Sequence, residues 1–167
     1  VNLLMFSKDT AYRDSVLGKI KEGLPHKVNK FVLINNAAEQ ILKSVAEIEW
    51  QDWENSLAVN TVAPFFLVQG LTAELIESCG HVINISSIHA KLTKTKFTCY
   101  SASKSALEAL TRSLALELSP LGVSVNAIAP AAISTEMLKA SFNDKPEKLL
   151  ELESYHPSAS IGTPAQV

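Results

Sequence analysis

Tyr100-Ser-Ala-Ser-Lys104 sets a phenol and an ammonium four residues apart, which puts them one turn from each other on the same face of a helix. An ammonium near a phenol favours the phenolate and lowers its pKa, so the tyrosine becomes usable as an acid or base nearer neutrality. Asn84-Ile-Ser-Ser87 ends 13 residues before Tyr100 and offers serine hydroxyls that could donate to a substrate oxygen. Val32-Leu-Ile-Asn-Asn-Ala-Ala38 runs an apolar segment into two amides and two small residues, which let a ligand approach the backbone. Asn60 follows Val59 inside an apolar stretch, and an interior amide there needs hydrogen-bond partners. Asn126-Ala-Ile-Ala-Pro130 follows another apolar run, with Ile133, Ser134 and Thr135 just beyond. Taken singly, each group also fits a plain structural role: an accidental pair, a turn or cap, a loop, a buried hydrogen bond, a proline-containing loop.

The elements that must position these groups alternate. Asn2–Phe6, Lys30–Asn35, His81–Ser86 and Val123–Ile128 read as short strands without strict in/out alternation, which suits a parallel sheet covered by helices on each side. Asp9–Lys21 reads as a helix with Tyr12, Val16 and Ile20 at four-residue spacing and Asp9 or Thr10 as N-cap. Trp50–Ser78 is helical and apolar, with Gly80 as its C-terminal stop. Tyr100–Leu118 puts Ala106, Leu107, Leu110, Leu114 and Leu118 on one face and ends at Ser119-Pro120 and Gly122. The β-α-β-α-β-α-β order predicts one α/β domain over residues 1–167, a doubly wound parallel sheet of Rossmann-like type with right-handed crossovers. Both ends read as unfinished: the chain opens almost on a strand and closes on Gly162-Thr-Pro-Ala-Gln-Val167, which resembles a helix start.

Composition narrows the function. Of the 167 residues 47% are hydrophobic and 19% charged, with 15 basic against 17 acidic side chains, a net charge of −2. Nucleic-acid and anionic-membrane binders need a concentrated basic face, and Lys91, Lys94 and Lys96 are too sparse to make one. The longest apolar stretch, Val62–Leu71, is interrupted by Pro64 and Gln69 and falls short of a membrane span. No signal peptide is visible, and Cys79 and Cys99 form no Cys-x-x-Cys, so they are expected as buried or half-buried thiols in a reducing cytoplasm. The scattered His26, His81, His89 and His156 make no metal pair, and no Gly-x-Ser-x-Gly elbow supports a serine hydrolase.

The order and spacing of Asn-Asn-Ala, a helical Asn, Ile-Ser-Ser, Tyr-x-x-x-Lys and Asn-x-x-x-Pro, together with Gly162-Thr-Pro, resemble the short-chain dehydrogenase/reductase family along nearly the whole chain. The resemblance implies an oxidoreductase that uses NAD or NADP and moves a hydride between the nicotinamide and a small alcohol or carbonyl substrate. It implies Tyr100 as general acid/base, Ser87 rather than Ser86 as the substrate-polarising hydroxyl, and Lys104 as the group that lowers the Tyr100 pKa and bonds the nicotinamide ribose. Asn60 would hold a helix kink and the water that links Lys104 to solvent. Asp9 would contact the adenine, Asn36, Ala37 and Ala38 the adenosine ribose, and Pro130, Ile133 and Thr135 the carboxamide. Two positions depart from the family pattern: Ala38 and Ala131 stand where it usually has glycine.

The family's glycine-rich phosphate turn is missing, since the six glycines, at 18, 23, 70, 80, 122 and 162, include no Gly-x-Gly. By the resemblance that turn would precede Val1 and a last strand would follow Val167, leaving these residues alone unstable and inactive. The resemblance also implies a homo-oligomer, dimer or tetramer, through the helices at Trp50–Ser78 and Tyr100–Leu118. The alternative is a truncated, non-catalytic binding or oligomerisation module. Met137, Leu138, Phe142, Leu149, Leu150 and Tyr155 are expected to form an apolar lid over the substrate.

Overall fold

A computed structural model describes residues 1–25, 29–135, 138 and 146–167. His26, Met137 and Phe142, and with the latter two part of the expected lid, lie outside the described residues. The chain divides into two compact units, Val1–Ala129 and Pro130–Val167.

The first unit opens on α1 (Leu3–Lys8) and α2 (Thr10–Glu22), then β1 (Val32–Asn35). A long helical stretch follows: α3 (Trp50–Leu57), a π turn (Ala58–Val62), α4 (Ala63–Gly70) and α5 (Thr72–Glu77). Then come β2 (His81–Ile85), α6 (Thr98–Leu118) and β3 (Ser124–Ile128). The strands pair in parallel in the order β1-β2-β3, with Asn35 opposite Asn84 and Ile85 opposite Ile128. The parallel α/β sheet expected from the sequence is therefore present.

Asn2–Phe6 is not the expected strand. Asn2 caps a helix by accepting from the Met5 N–H at 3.1 Å, and Phe6 is fully buried on the helix's inner side. No described strand offers that segment a ladder, so a helix satisfies its backbone locally. The α2 start agrees with expectation, Asp9 accepting from the Tyr12 N–H at 3.0 Å.

Within these residues helices cover one face of the sheet. Val32, Ile34 and Ile128 share one face and remain exposed, Ile34 at 57%. The other face buries Val82 and Val125 against Val68, Leu71, Leu75, Leu114 and Leu118. Strand order explains this. Three parallel strands that advance in one direction through right-handed crossovers carry both connections on the same side; the second layer needs a reversal of direction. Burying each large apolar side chain there stabilises the fold by about 1.5–3 kcal/mol.

The end of α5 differs from expectation in one residue. The Gly80 N–H donates to the Leu75 carbonyl at 2.8 Å and the Cys79 N–H to the Ile76 carbonyl at 3.1 Å, so the left-handed position falls on Cys79, φ 46°, not on the glycine. Cys79 is correspondingly exposed, unlike Cys99, and both thiols are free. The end of α6 repeats the motif with Gly122, φ 82°, in that position. Because a side chain at positive φ is strained, Cys79→Gly is expected to raise the unfolding free energy by about 1 kcal/mol in a denaturant titration.

In the second unit, Ile133 forms an isolated parallel bridge with Gly162, and α7 spans Pro146–Ser154. Leu150 and Tyr155, two of the expected lid residues, are exposed. No helix among the described residues is long and apolar enough to cross a membrane, and no cluster of three metal-ligating side chains occurs among them.

Candidate active site

Ligands of open parallel sheets bind beyond the carboxyl ends of the strands. At that edge Asn36, Ala37 and Ala38 follow β1, and Ser86 and Ser87 follow the neighbouring β2. The two serines diverge. Ser86 turns inward, its hydroxyl donating to Glu108 Oε1 at 3.1 Å. Ser87 lies near enough to the Tyr100 phenol to bear on its pKa, and its hydroxyl accepts from the His89 N–H at 3.2 Å.

Tyr100 and Lys104 lie one turn apart on α6, as their spacing predicts. Lys104 is buried, and Nζ donates to the Ile85 carbonyl at the end of β2 over 2.6 Å. It stands 5.8 Å from the centre of the Tyr100 ring. The Tyr100 pKa is raised, not lowered: burial pushes it up, and the neighbouring Ser87 hydroxyl pulls it partly back. The expected downward pull by Lys104 is absent from this geometry, in which a backbone carbonyl holds the ammonium.

Burial lowers the Lys104 pKa from 10.5 to about 8. A depressed folded pKa contributes stability that is fully present above the unfolded value and lost as pH falls through the folded one. Between pH 10.5 and about 8 the protein should therefore lose stability, by at most about 3 kcal/mol, relative to Lys104→Met. Denaturant titrations of both proteins across that window read the difference.

Asn60 is almost fully buried in the π turn. Proline at 64 has no N–H to give the Asn60 carbonyl, so the regular ladder cannot close there, and the Ala63 N–H reaches back to Ala58. The Asn60 side chain accepts from the Glu39 N–H at 2.8 Å and donates to the Glu39 carbonyl and to Ser103 Oγ, both at 2.9 Å. Ser103 in turn donates to the Tyr100 carbonyl at 2.8 Å, so Asn60 reaches the Tyr-Lys turn through Ser103 rather than by touching Lys104.

The sequence reading missed these supports. Ser56, Ser103 and Glu108 are buried or half-buried polar residues in apolar helices, a signal that marks a partner without naming it. A second missed network lies beneath the strand ends, where Asn84 accepts from Asn35 Nδ2 at 2.8 Å and donates to Thr111 Oγ1 at 2.9 Å.

Of the other expected cofactor residues, Asp9 is exposed and spends one oxygen on the α2 cap. Pro130, Ile133 and Thr135 belong to the second unit, where Thr135 accepts from the Leu138 N–H at 3.2 Å. The strand edge fits a nicotinamide cofactor: Ala37 and Ala38 leave the backbone open, and a buried ammonium bonded to one carbonyl has further N–H groups for ribose hydroxyls.

Comparison with known proteins identifies the family. A 5-keto-D-gluconate 5-reductase of Escherichia coli strain K12 is 40% identical over 115 residues, 68% of this chain and 45% of its own. An NADPH-dependent aldehyde reductase of Arabidopsis thaliana, chloroplastic, is 37% identical over 137 residues, 81% of this chain and 46% of its own. The structure of a 4-hydroxyisoleucine dehydrogenase complexed with NADH superposes with a TM-score of 0.80 at 28% identity, covering 99% of this chain and 66% of that one. The chain thus spans about half the length of these curated relatives. The family model described as short chain dehydrogenase matches residues 7–146, and the chain belongs to that family.

Proposed function

We propose that these residues are the catalytic part of an NAD(P)-dependent oxidoreductase that interconverts an alcohol and a carbonyl compound. The observation that carries this reading is the buried Lys104 one turn from Tyr100, its Nζ tied to the Ile85 carbonyl at the carboxyl end of β2, with Ser87 just beyond that strand. When bound, the nicotinamide supplies or takes up the hydride. Tyr100 gives its proton to the carbonyl oxygen in reduction and receives it back in oxidation. Ser87 donates to the same oxygen and polarises the bond. Lys104 orients the nicotinamide ribose, and Asn60 orders the helix behind it and the water that carries protons from Lys104 to solvent.

Asp9 faces the adenine, Asn36, Ala37 and Ala38 the adenosine ribose, and Pro130, Ile133 and Thr135 the carboxamide. These 167 residues contain no Gly-x-Gly cradle for the pyrophosphate, and this stretch alone is inactive. Both curated relatives take substrates with a reducible carbonyl, which supports the same reaction here. A homo-oligomer formed through α3–α6 is supported by the exposure of Trp50 and Leu116 on those helices.

The test is to mix the natural-length protein with NADH or NADPH and a panel of ketones and aldehydes. Loss of the reduced cofactor that depends on the carbonyl supports the reading; no loss with any pair sinks it.

A further inference from the structure

His89 stands beside the Ser87–Tyr100 pair without a part in the proton transfer. Its N–H donates to Ser87 Oγ at 3.2 Å, and its ring lies 4.2 Å from Phe97 and 6.3 Å from Tyr100, centre to centre. Nδ1 is 3.1 Å from the Leu92 carbonyl. A carbonyl only accepts, so Nδ1 carries the proton and Nε2 presents its lone pair. Nε2 has no hydrogen-bond partner among the described residues. Burial and the charge of Lys94 hold the His89 pKa below its usual value, which keeps the ring neutral and Nε2 an acceptor.

The three lysines of the same loop are not equivalent. Lys91 is 3.8 Å from Glu108, and the charge of Lys96 falls on Glu47. Lys94 has no carboxylate partner among the described residues, and its Nζ lies 4.8 Å from the centre of the Phe97 ring. Ser87, His89, Phe97 and Lys94 thus form a continuous row: reacting hydroxyl, free acceptor, aromatic face, unpaired cation.

We propose that this row reads the substrate: His89 Nε2 accepts from a hydroxyl on the carbon next to the reacting carbonyl, and Lys94 pairs with an acidic group further along the molecule. The substrate class is a polyhydroxy keto acid or the corresponding alcohol. The proposal rests on the dehydrogenase reading above and deepens it.

The test compares kcat/KM of the natural-length protein for a ketohexonate, a neutral ketohexose and an unsubstituted aliphatic ketone. His89→Phe keeps the ring packing and removes the acceptor. It should lower the ratio of ketohexose to aliphatic ketone about five- to tenfold, chiefly through KM, and His89→Gln, whose amide oxygen can accept, should restore part of it. Lys94→Met should lower the ratio of ketohexonate to ketohexose by a similar factor, and added salt should erode that preference in the unsubstituted protein. Unchanged ratios, or equal losses on every substrate with KM unmoved, overturn the proposal. If the unsubstituted protein reduces the aliphatic ketone but neither sugar, this proposal falls while the dehydrogenase reading stands; if it reduces no ketone or aldehyde at all, the dehydrogenase reading falls first and this proposal with it.

Discussion

Tyr100→Phe is expected to lower kcat/KM for carbonyl reduction about a thousandfold while the melting temperature stays close to that of the parent. In the proposed mechanism the substitution removes the hydroxyl that passes its proton to the substrate oxygen, and it leaves the ring contacts with Phe97 and His89 in place. The direction of the Tyr100 shift adds a pH signature. Burial holds the phenol protonated at neutrality, as a proton donor for reduction must be, whereas alcohol oxidation needs the phenolate. Oxidation should therefore rise as pH climbs above neutrality and reduction should fall, and Tyr100→Phe should abolish both trends. Steady-state rates in the two directions across a pH series check this.

Asn84→Ala should destabilise the protein by about 3 kcal/mol in a chemical denaturation experiment. The Asn84 side chain is fully buried and bridges β1 to α6, accepting from Asn35 and donating to Thr111. Truncation strands the Asn35 amide, and it takes from Thr111 the donor to a hydroxyl whose own proton is committed to the Leu107 carbonyl at 2.7 Å. Each buried polar group left without a partner costs about 1–3 kcal/mol, and the cavity adds to that. Asn84→Leu fills the volume but strands the same groups, so it should recover little. Recovery to parental stability would mean that packing, not the hydrogen bonds, holds that layer.

The sequence made the candidate centre legible because its residues are local. Tyr100 and Lys104 are one helical turn apart, and Ser87 lies at the end of the strand that leads into the intervening loop. The cap at Asp9 was equally readable, since capping is decided within three residues. Asn2–Phe6 was not, because an apolar run of that length packs as well in a buried helix as in a strand. The bare sheet face was hidden for another reason: it follows from strand order, which no single segment encodes. The supports Ser103 to Asn60, Ser86 to Glu108 and Lys104 to Ile85 join residues distant in the chain, so each residue's type announced a need for a partner without identifying it.

The most direct test of the central claim follows the hydride. The natural-length protein is given a ketone and NADPH or NADH carrying deuterium at both C4 positions of the nicotinamide, and the product is examined by mass spectrometry. The account predicts an alcohol with one deuterium on the former carbonyl carbon, formed one for one with oxidised cofactor and lost in Tyr100→Phe. Unlabelled product, or cofactor oxidation without alcohol, would contradict it.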